Sequence, residues 1–110
     1  GMERTYEPAI YTEDEALTNI RNYCNHLEAA LKKRNFKAGT VVIKVRNNNF
    51  DTVTKRKKLK TPSDSHLDFY DVARDLFEAT SSFLDDGIRL LGVTVTDFEK
   101  KKYQSISLFD

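Results

Sequence analysis

Apolar positions along this chain follow two different rhythms. Between residues 13 and 35, Leu17, Ile20, Cys24, Leu27 and Leu31 recur every three or four residues. That spacing puts them on one face of an amphipathic helix. Thr12 and Glu15 form a capping box at its start, and Gly39 stands just past its expected end. A second stripe has the same spacing: Phe69, Val72, Ala73, Leu76, Thr80 and Phe83. Ser65 with Asp68 is a weaker start signal for this second helix, and Gly87 is its stop.

The other rhythm is alternation. In TVVIKVR, residues 40 to 46, Val41, Ile43 and Val45 share one face while Val42, Lys44 and Arg46 share the other. Period two with one apolar face is a half-buried strand. NNNFD, residues 47 to 51, is turn by composition. Residues 51 to 60 then read as the returning strand of a hairpin. Its parity is poor, because Lys55 and Lys57 fall on the same side as Val53 and Leu59. Either a bulge resets the register, or the strand lies at an edge where long lysines reach water. IRLLGVTVTDF, residues 88 to 98, alternates again, with Leu91, Val93 and Val95 opposite Leu90, Gly92, Thr94 and Thr96. At the start of the chain, ERTYEPAI reads as a strand that ends near Pro8, which has no N–H to give to a ladder.

The element order is β-α-β-β-α-β. Two helices with single apolar stripes can cover only one face of a sheet. The expectation is therefore an α+β fold, a four-stranded antiparallel sheet with two helices on one face. The other face is left open, and its candidate residues are Lys44, Arg46, Thr52, Thr54, Arg56, Lys58, Thr94 and Thr96.

Charge sharpens this picture. The net charge of +1 over 110 residues hides a strong segregation. Residues 31 to 60 hold eleven Lys or Arg and one acid, Asp51, and so carry +10. The flanking thirties carry −4 and −5, and the last twenty residues balance. A concentrated basic block is the footprint of a polyanion binder, and Lys, Arg and Thr side chains bond phosphate oxygens. One cysteine excludes an internal disulfide and a cysteine metal cage, and fits a reducing, cytoplasmic compartment. No apolar run is long enough to cross a membrane, and there is no secretory signal pattern. Gly1 ahead of Met2 reads as the scar of a cleaved tag, and the chain as a piece of a longer parent.

Catalytic chemistry finds no foothold. No Ser-His-acid spacing, no GxxxxGK[ST] and no GxGxxG is present. His26 and His66 lack partners at metal-ligand spacing and read as surface residues. Asp68, Asp71 and Asp75 read as a solvated helix face, favoured near a helix N-terminus. Cys24 lies within the first stripe and reads as a core thiol. No catalytic residue, metal site or cofactor is expected in this chain.

Three rival readings are open to test. A stand-alone RNA-binding ferredoxin-like module shares the element order but stacks bases on exposed aromatics, here Tyr11, Phe50 or Tyr103. A small enzyme of acylphosphatase-like architecture needs a phosphate-cradling loop, and ERTYEPAI has no glycine to form one. A protein–protein adaptor using only the tail leaves the +10 segment without a role. An open face of Lys, Arg and Thr favours gripping a duplex by its backbone.

ERTYEP, TVVIKVRNNNFDTVTKRKKL, IRLLGVTVTDF and the closing QSISLFD occur in that order. Together they resemble the C-terminal little-finger domain of Y-family translesion DNA polymerases, the bacterial kind above all. The resemblance implies a sheet backed by two helices that lies against the major groove and grips the phosphates of primer–template DNA. It implies that the metal-binding carboxylates, and the Mg they hold for copying past DNA damage, belong to a part of the parent absent here. Residue by residue, it carries DNA binding onto Lys44, Arg46, Thr54, Lys55, Arg56 and Lys58 of the hairpin and Arg89, Gly92 and Thr94 of the last strand. Gly92 suits close backbone approach to a phosphate. The family often has a basic residue where Leu90 and Thr94 stand.

The resemblance also gives the end of the chain a role. Residues 1 to 103 form the DNA-binding domain, and residues 104 to 110 a tail. Y-family polymerases end in a short peptide that inserts into an apolar pocket on the sliding clamp. Ile106, Leu108 and Phe109 match its anchors, with Gln104 displaced by one residue and Ser105 where glutamine is expected. The implied partners are double-stranded DNA and a sliding clamp, engaged by a monomer.

Overall fold

In a computed structural model, residues 1–101 are described. The chain begins with strand β1 (Met2–Ile10), then helix α1 (Glu13–Arg34) and the hairpin of β2 (Phe36–Asn47) and β3 (Thr52–Ser63). Helix α2 (His66–Glu78), the single turn α3 (Phe83–Asp86) and strand β4 (Ile88–Lys100) complete it. The four strands form one antiparallel sheet in the order β1-β4-β2-β3. The α+β expectation holds, with α3 as an addition.

Local chemistry sets the limits of α1. The Thr12 side chain accepts from the Glu15 backbone N–H at 3.3 Å. Glu13, Asp14 and Glu15 fill the first turn and Lys32, Lys33 and Arg34 the last, each sign where the helix dipole favours it. The stop is Asn35, which takes the left-handed conformation (φ 59°) and returns its N–H to the carbonyls of Leu31 and Lys32. Asparagine tolerates that region because its short polar side chain costs little there. Gly39 is thus not the cap but lies inside β2, which starts four residues earlier than the alternation suggests.

The second helix also ends sooner than its stripe implies. After Glu78 the chain leaves the helix, and the buried Thr80 hydroxyl donates to the Phe77 carbonyl at 2.8 Å. Gly87 (φ 86°) closes α3 rather than α2. At the other end, Ser65 Oγ accepts from the Leu67 N–H at 3.2 Å, while Asp68 accepts from Ser63 Oγ instead of completing a box.

The core lies between the helices and one sheet face. From α1 it takes Ala16, Ile20, Tyr23, Cys24, Leu27 and Leu31, from α2 Phe69, Ala73 and Phe77, and from the sheet Val41, Ile43, Val45, Leu91, Val93 and Val95. Ala16, Tyr23 and Phe77 are additions to the two stripes, and Leu17 sits at the margin. Cys24 is fully buried, and burial pushes its thiol up to about 12. It is therefore a packed, unreactive group. Among the described residues, no helix is long and apolar enough to cross a membrane.

One tie between the helices carries a pH signature. Glu28 on α1 accepts the backbone N–H of His66 at 3.0 Å, and the same oxygen is 3.0 Å from His66 Nδ1. His66 is therefore a joint between helices rather than a plain surface residue. The backbone bond first, then the ring contact, hold the Glu28 carboxyl down at about 2, against 4.5 ordinarily. A folded-state value below the unfolded one contributes stability that is complete above about 4.5 and lost as pH falls toward 2. Glu28→Gln is expected to remove this dependence. Melting temperature followed from pH 5 to pH 2 should fall less steeply for the variant, and identical slopes would show that the contact carries no linkage.

Candidate nucleic-acid interface

Strand register decides which side chains share the helix-free face. Antiparallel partners point to the same side of a sheet, and neighbours along a strand to opposite sides. The pairings give four rows across the sheet. Thr5, Leu90, Arg46 and Thr52 form the first, and Glu3, Gly92, Lys44 and Thr54 the second. Thr94, Val42 and Arg56 form the third, and Thr96, Thr40 and Lys58 the fourth. The core residues Leu91, Val93, Val95, Val41, Ile43 and Val45 occupy the alternate positions. All eight residues assigned to the open face from the sequence therefore stand on it together.

Two apolar side chains also lie there. Val42 and Leu90 are 9% and 6% exposed, yet neither joins the core beneath the helices. They stand in the rows of the open face and give its basic residues an apolar floor. Arg46 Nε donates to Thr52 Oγ1 at 2.9 Å, which aims its guanidinium along its row toward β3. Arg56 and Lys58 are exposed.

Three residues carried over by resemblance sit differently from the expectation. Lys55 pairs with Ile43 and Lys57 with Val41, so both point to the helix side. The register runs unbroken from Thr40 opposite Lys58 to Arg46 opposite Thr52. Edge exposure therefore explains the lysines, and the irregularity lies further on, where Ala38 meets Ser63. Arg89 falls in a bulge, because Ile88 pairs with Asn47 while Leu90 pairs with Arg46. Its guanidinium reaches Asn48 Oδ1 at 3.4 Å and Glu7 at 3.7 Å, at the hairpin end rather than in the rows. Gly92 does stand in a row, but its vacant side-chain position is taken. A Cβ added there would meet Glu3 Cβ, Glu3 Cγ and the Met2 carbonyl oxygen, each at 3.2 Å.

Glu3 is the residue that sequence reasoning missed. It lies over Gly92, and its carboxylate is 3.7 Å from Lys44 Nζ. The alternation of Glu3 and Thr5 was visible in the sequence. What was not visible was that β1 lies beside β4.

The aromatic residues that would serve single-stranded RNA are elsewhere. Phe50 is 82% exposed in the hairpin turn, and Tyr11, 58% exposed, follows β1 with its hydroxyl 3.2 Å from Asn48 Nδ2. Neither belongs to the four rows. Tyr103 and the tail residues Gln104, Ile106, Leu108 and Phe109 lie outside the described residues. Among the described residues no group of three or more His, Cys, Asp or Glu could hold a metal ion.

A family model described as the impB/mucB/samB family C-terminal domain matches residues 1–108. The chain belongs to this family. Curated relatives agree with the assignment. A DNA polymerase IV of Streptococcus suis is 39% identical over 99 residues, 90% of this chain and 28% of that protein. A DNA polymerase IV of Staphylococcus saprophyticus is 31% identical over 110 residues, the whole of this chain and 31% of that protein. This impB/mucB/samB C-terminal domain thus spans under a third of the relatives it matches. Among solved structures, a complex of the beta-clamp processivity factor and the little finger domain of PolIV has the same fold. It is 22% identical at a TM-score of 0.70, covering 97% of this chain and 95% of that one. A post-insertion binary complex of Dbh DNA polymerase matches at a TM-score of 0.69 and 19% identity, over 90% of this chain and 28% of that one. The resemblance to the C-terminal domain of Y-family polymerases is borne out.

Proposed function

We propose that this domain grips the primer–template duplex of a translesion DNA polymerase through the helix-free face of its sheet, and tethers the enzyme to a sliding clamp through residues 104–110. The observation that carries the reading is the gathering of Lys44, Arg46, Arg56 and Lys58 on one face, interleaved with Thr52, Thr54, Thr94 and Thr96. Adjacent rows are about 7 Å apart, twice the rise per residue of a strand, so the cations can meet several phosphates of a backbone at once. Phosphate contacts position a protein without reading sequence, which suits a polymerase that must hold any template. The domain acts as a monomer and contributes no group to the chemistry. Nucleotide transfer, and the Mg it needs, belong to parts of the polymerase beyond this domain.

The tail supports the second half of the proposal. Three apolar anchors, Ile106, Leu108 and Phe109, follow a charged stretch, a pattern that suits insertion into an apolar pocket on a partner. The relatives' structures include a little finger with a clamp.

The test is fluorescence anisotropy with a labelled primer–template duplex, repeated at several salt concentrations, beside a single-stranded RNA of equal length. Three to four phosphate contacts give a log–log salt slope of about −2.7 to −3.6. Sequence-independent duplex binding with that slope is expected, and the chain truncated after Tyr103 should keep it while losing affinity for a sliding clamp. Preference for the RNA, or no duplex binding at low salt, would overturn the reading of the face. Clamp binding that survives truncation would overturn the reading of the tail.

A further inference from the structure

The second row of the open face runs Glu3, Gly92, Lys44, Thr54, and it contains an acid in the middle of a cationic surface. Glu3 and Lys44 are two strands apart, about 9.6 Å by ordinary strand spacing. The glycine between them leaves the Glu3 stem room to cross toward Lys44. The Glu3 stem occupies the space a Gly92 side chain would need, and its carboxylate ends 3.7 Å from Lys44 Nζ. Both side chains remain substantially exposed, 51% and 39%, so the pair is accessible to a competing anion. Among the described residues no acid pairs with the neighbouring cations in their rows, although the Asp97 carboxylate accepts from Thr40 Oγ1 in the row of Lys58. Arg46 is held by the neutral Thr52 hydroxyl, and Arg56 pairs with Val42 and Lys58 with Thr40.

We infer that Glu3 is an internal competitor for phosphate: it holds Lys44 in the free domain, and a DNA backbone must displace it to use that lysine. The inference rests on the proposed role of the face as a phosphate grip. Glu3 then sets an upper limit on affinity. A carboxylate beside a phosphate repels it, and the lysine it occupies releases fewer counterions on binding. Both effects weaken the grip in the same direction. A domain that must let template pass through has use for such a limit, since each step forward breaks and remakes its backbone contacts.

The test is Glu3→Gln, which keeps the stem packed over Gly92 and removes only the charge. Its melting temperature, measured beside the wild type, checks that the fold is unchanged. Duplex affinity at low salt is expected to rise by up to about 5-fold, the range of one exposed charge contact. The salt slope should steepen by up to roughly 0.9 as Lys44 becomes a full phosphate contact. In a Lys44→Ala background the gain should shrink markedly, as coupled neighbours require. Wild-type binding with no tightening in E3Q would overturn the inference and leave the grip intact. The same gain with and without Lys44 would overturn the pairing as its cause. If neither wild type nor E3Q binds duplex at low salt, the grip and the competitor fail together.

Discussion

Changing Lys44, Arg46, Arg56 and Lys58 together to alanine is expected to abolish most of the salt-sensitive affinity for duplex DNA. Each lost phosphate contact flattens the log–log salt slope by about 0.9, so the four changes flatten it by about 2.7 to 3.6, depending on how far Glu3 holds Lys44 back. Over a fourfold rise in salt the wild type should then lose affinity on the order of 100-fold more than the variant. The fold should survive, because none of the four belongs to the core under the helices. A sharper comparison lies within β3. Arg56 and Lys58 alternate with Lys55 and Lys57 along one strand, but the two pairs point to opposite sides of the sheet. Replacing Arg56 and Lys58 removes the same charge as replacing Lys55 and Lys57. Only the first pair should flatten the slope, by about 1.8. Equal effects from both pairs would mean that general charge attracts the DNA and that the helix-free face does not define the contact.

The rows that make this comparison possible were legible where alternation was strict. Val41, Ile43 and Val45 in β2, and Leu91, Val93 and Val95 in β4, fix the parity of both central strands, because a one-residue slip would carry every apolar side chain into water. Lys44, Arg46, Thr94 and Thr96 follow from them. Parity became illegible at the edge. Lys55 and Lys57 have stems long enough to share a side with the core and still reach solvent, so nothing in β3 alone shows which lysines belong to which face. The ends of the helices were partly legible. Thr12 announces α1 through its own side chain, whereas Asn35 ends it with a backbone conformation that Gly39 advertised more strongly. The spacing of Thr80 and Phe83 continued the second stripe across a gap, because residues in a following turn can keep a helical interval without continuing the helix. Glu3 was hidden for a different reason. Its partners depend on sheet order, and the order β1-β4-β2-β3 brings together residues roughly ninety positions apart in sequence. No local pattern records that.

Phe77→Ala is expected to cost the domain about 3–5 kcal/mol, the range for deleting a large buried aromatic. Phe77 is wholly shielded from solvent near the end of α2, one of the two largest fully buried side chains with Phe69. It stands four residues beyond Ala73 and eight beyond Phe69 on the buried stripe, so it carries the packing of α2 to the helix end. Beyond it the Thr80 hydroxyl bonds the Phe77 carbonyl and the chain turns away, and only the partly buried Phe83 and Leu84 of α3 follow against the core. Domains of this size have 5–15 kcal/mol in total, so the loss is a large share of it. At 4–8 °C per kcal/mol for about a hundred residues, the melting temperature should drop by at least about 12 °C. Denaturant unfolding gives the cleaner number, as a lower midpoint at an unchanged slope. Leu76→Ala, one position away and only partly buried, should cost clearly less. A loss below about 1 kcal/mol in Phe77→Ala would mean that the end of α2 is not part of the core. The sheet separates Phe77 from the basic rows. The folded fraction of the variant should therefore bind duplex with the wild-type salt slope, which would show that packing on one side of the sheet and phosphate contact on the other are independent.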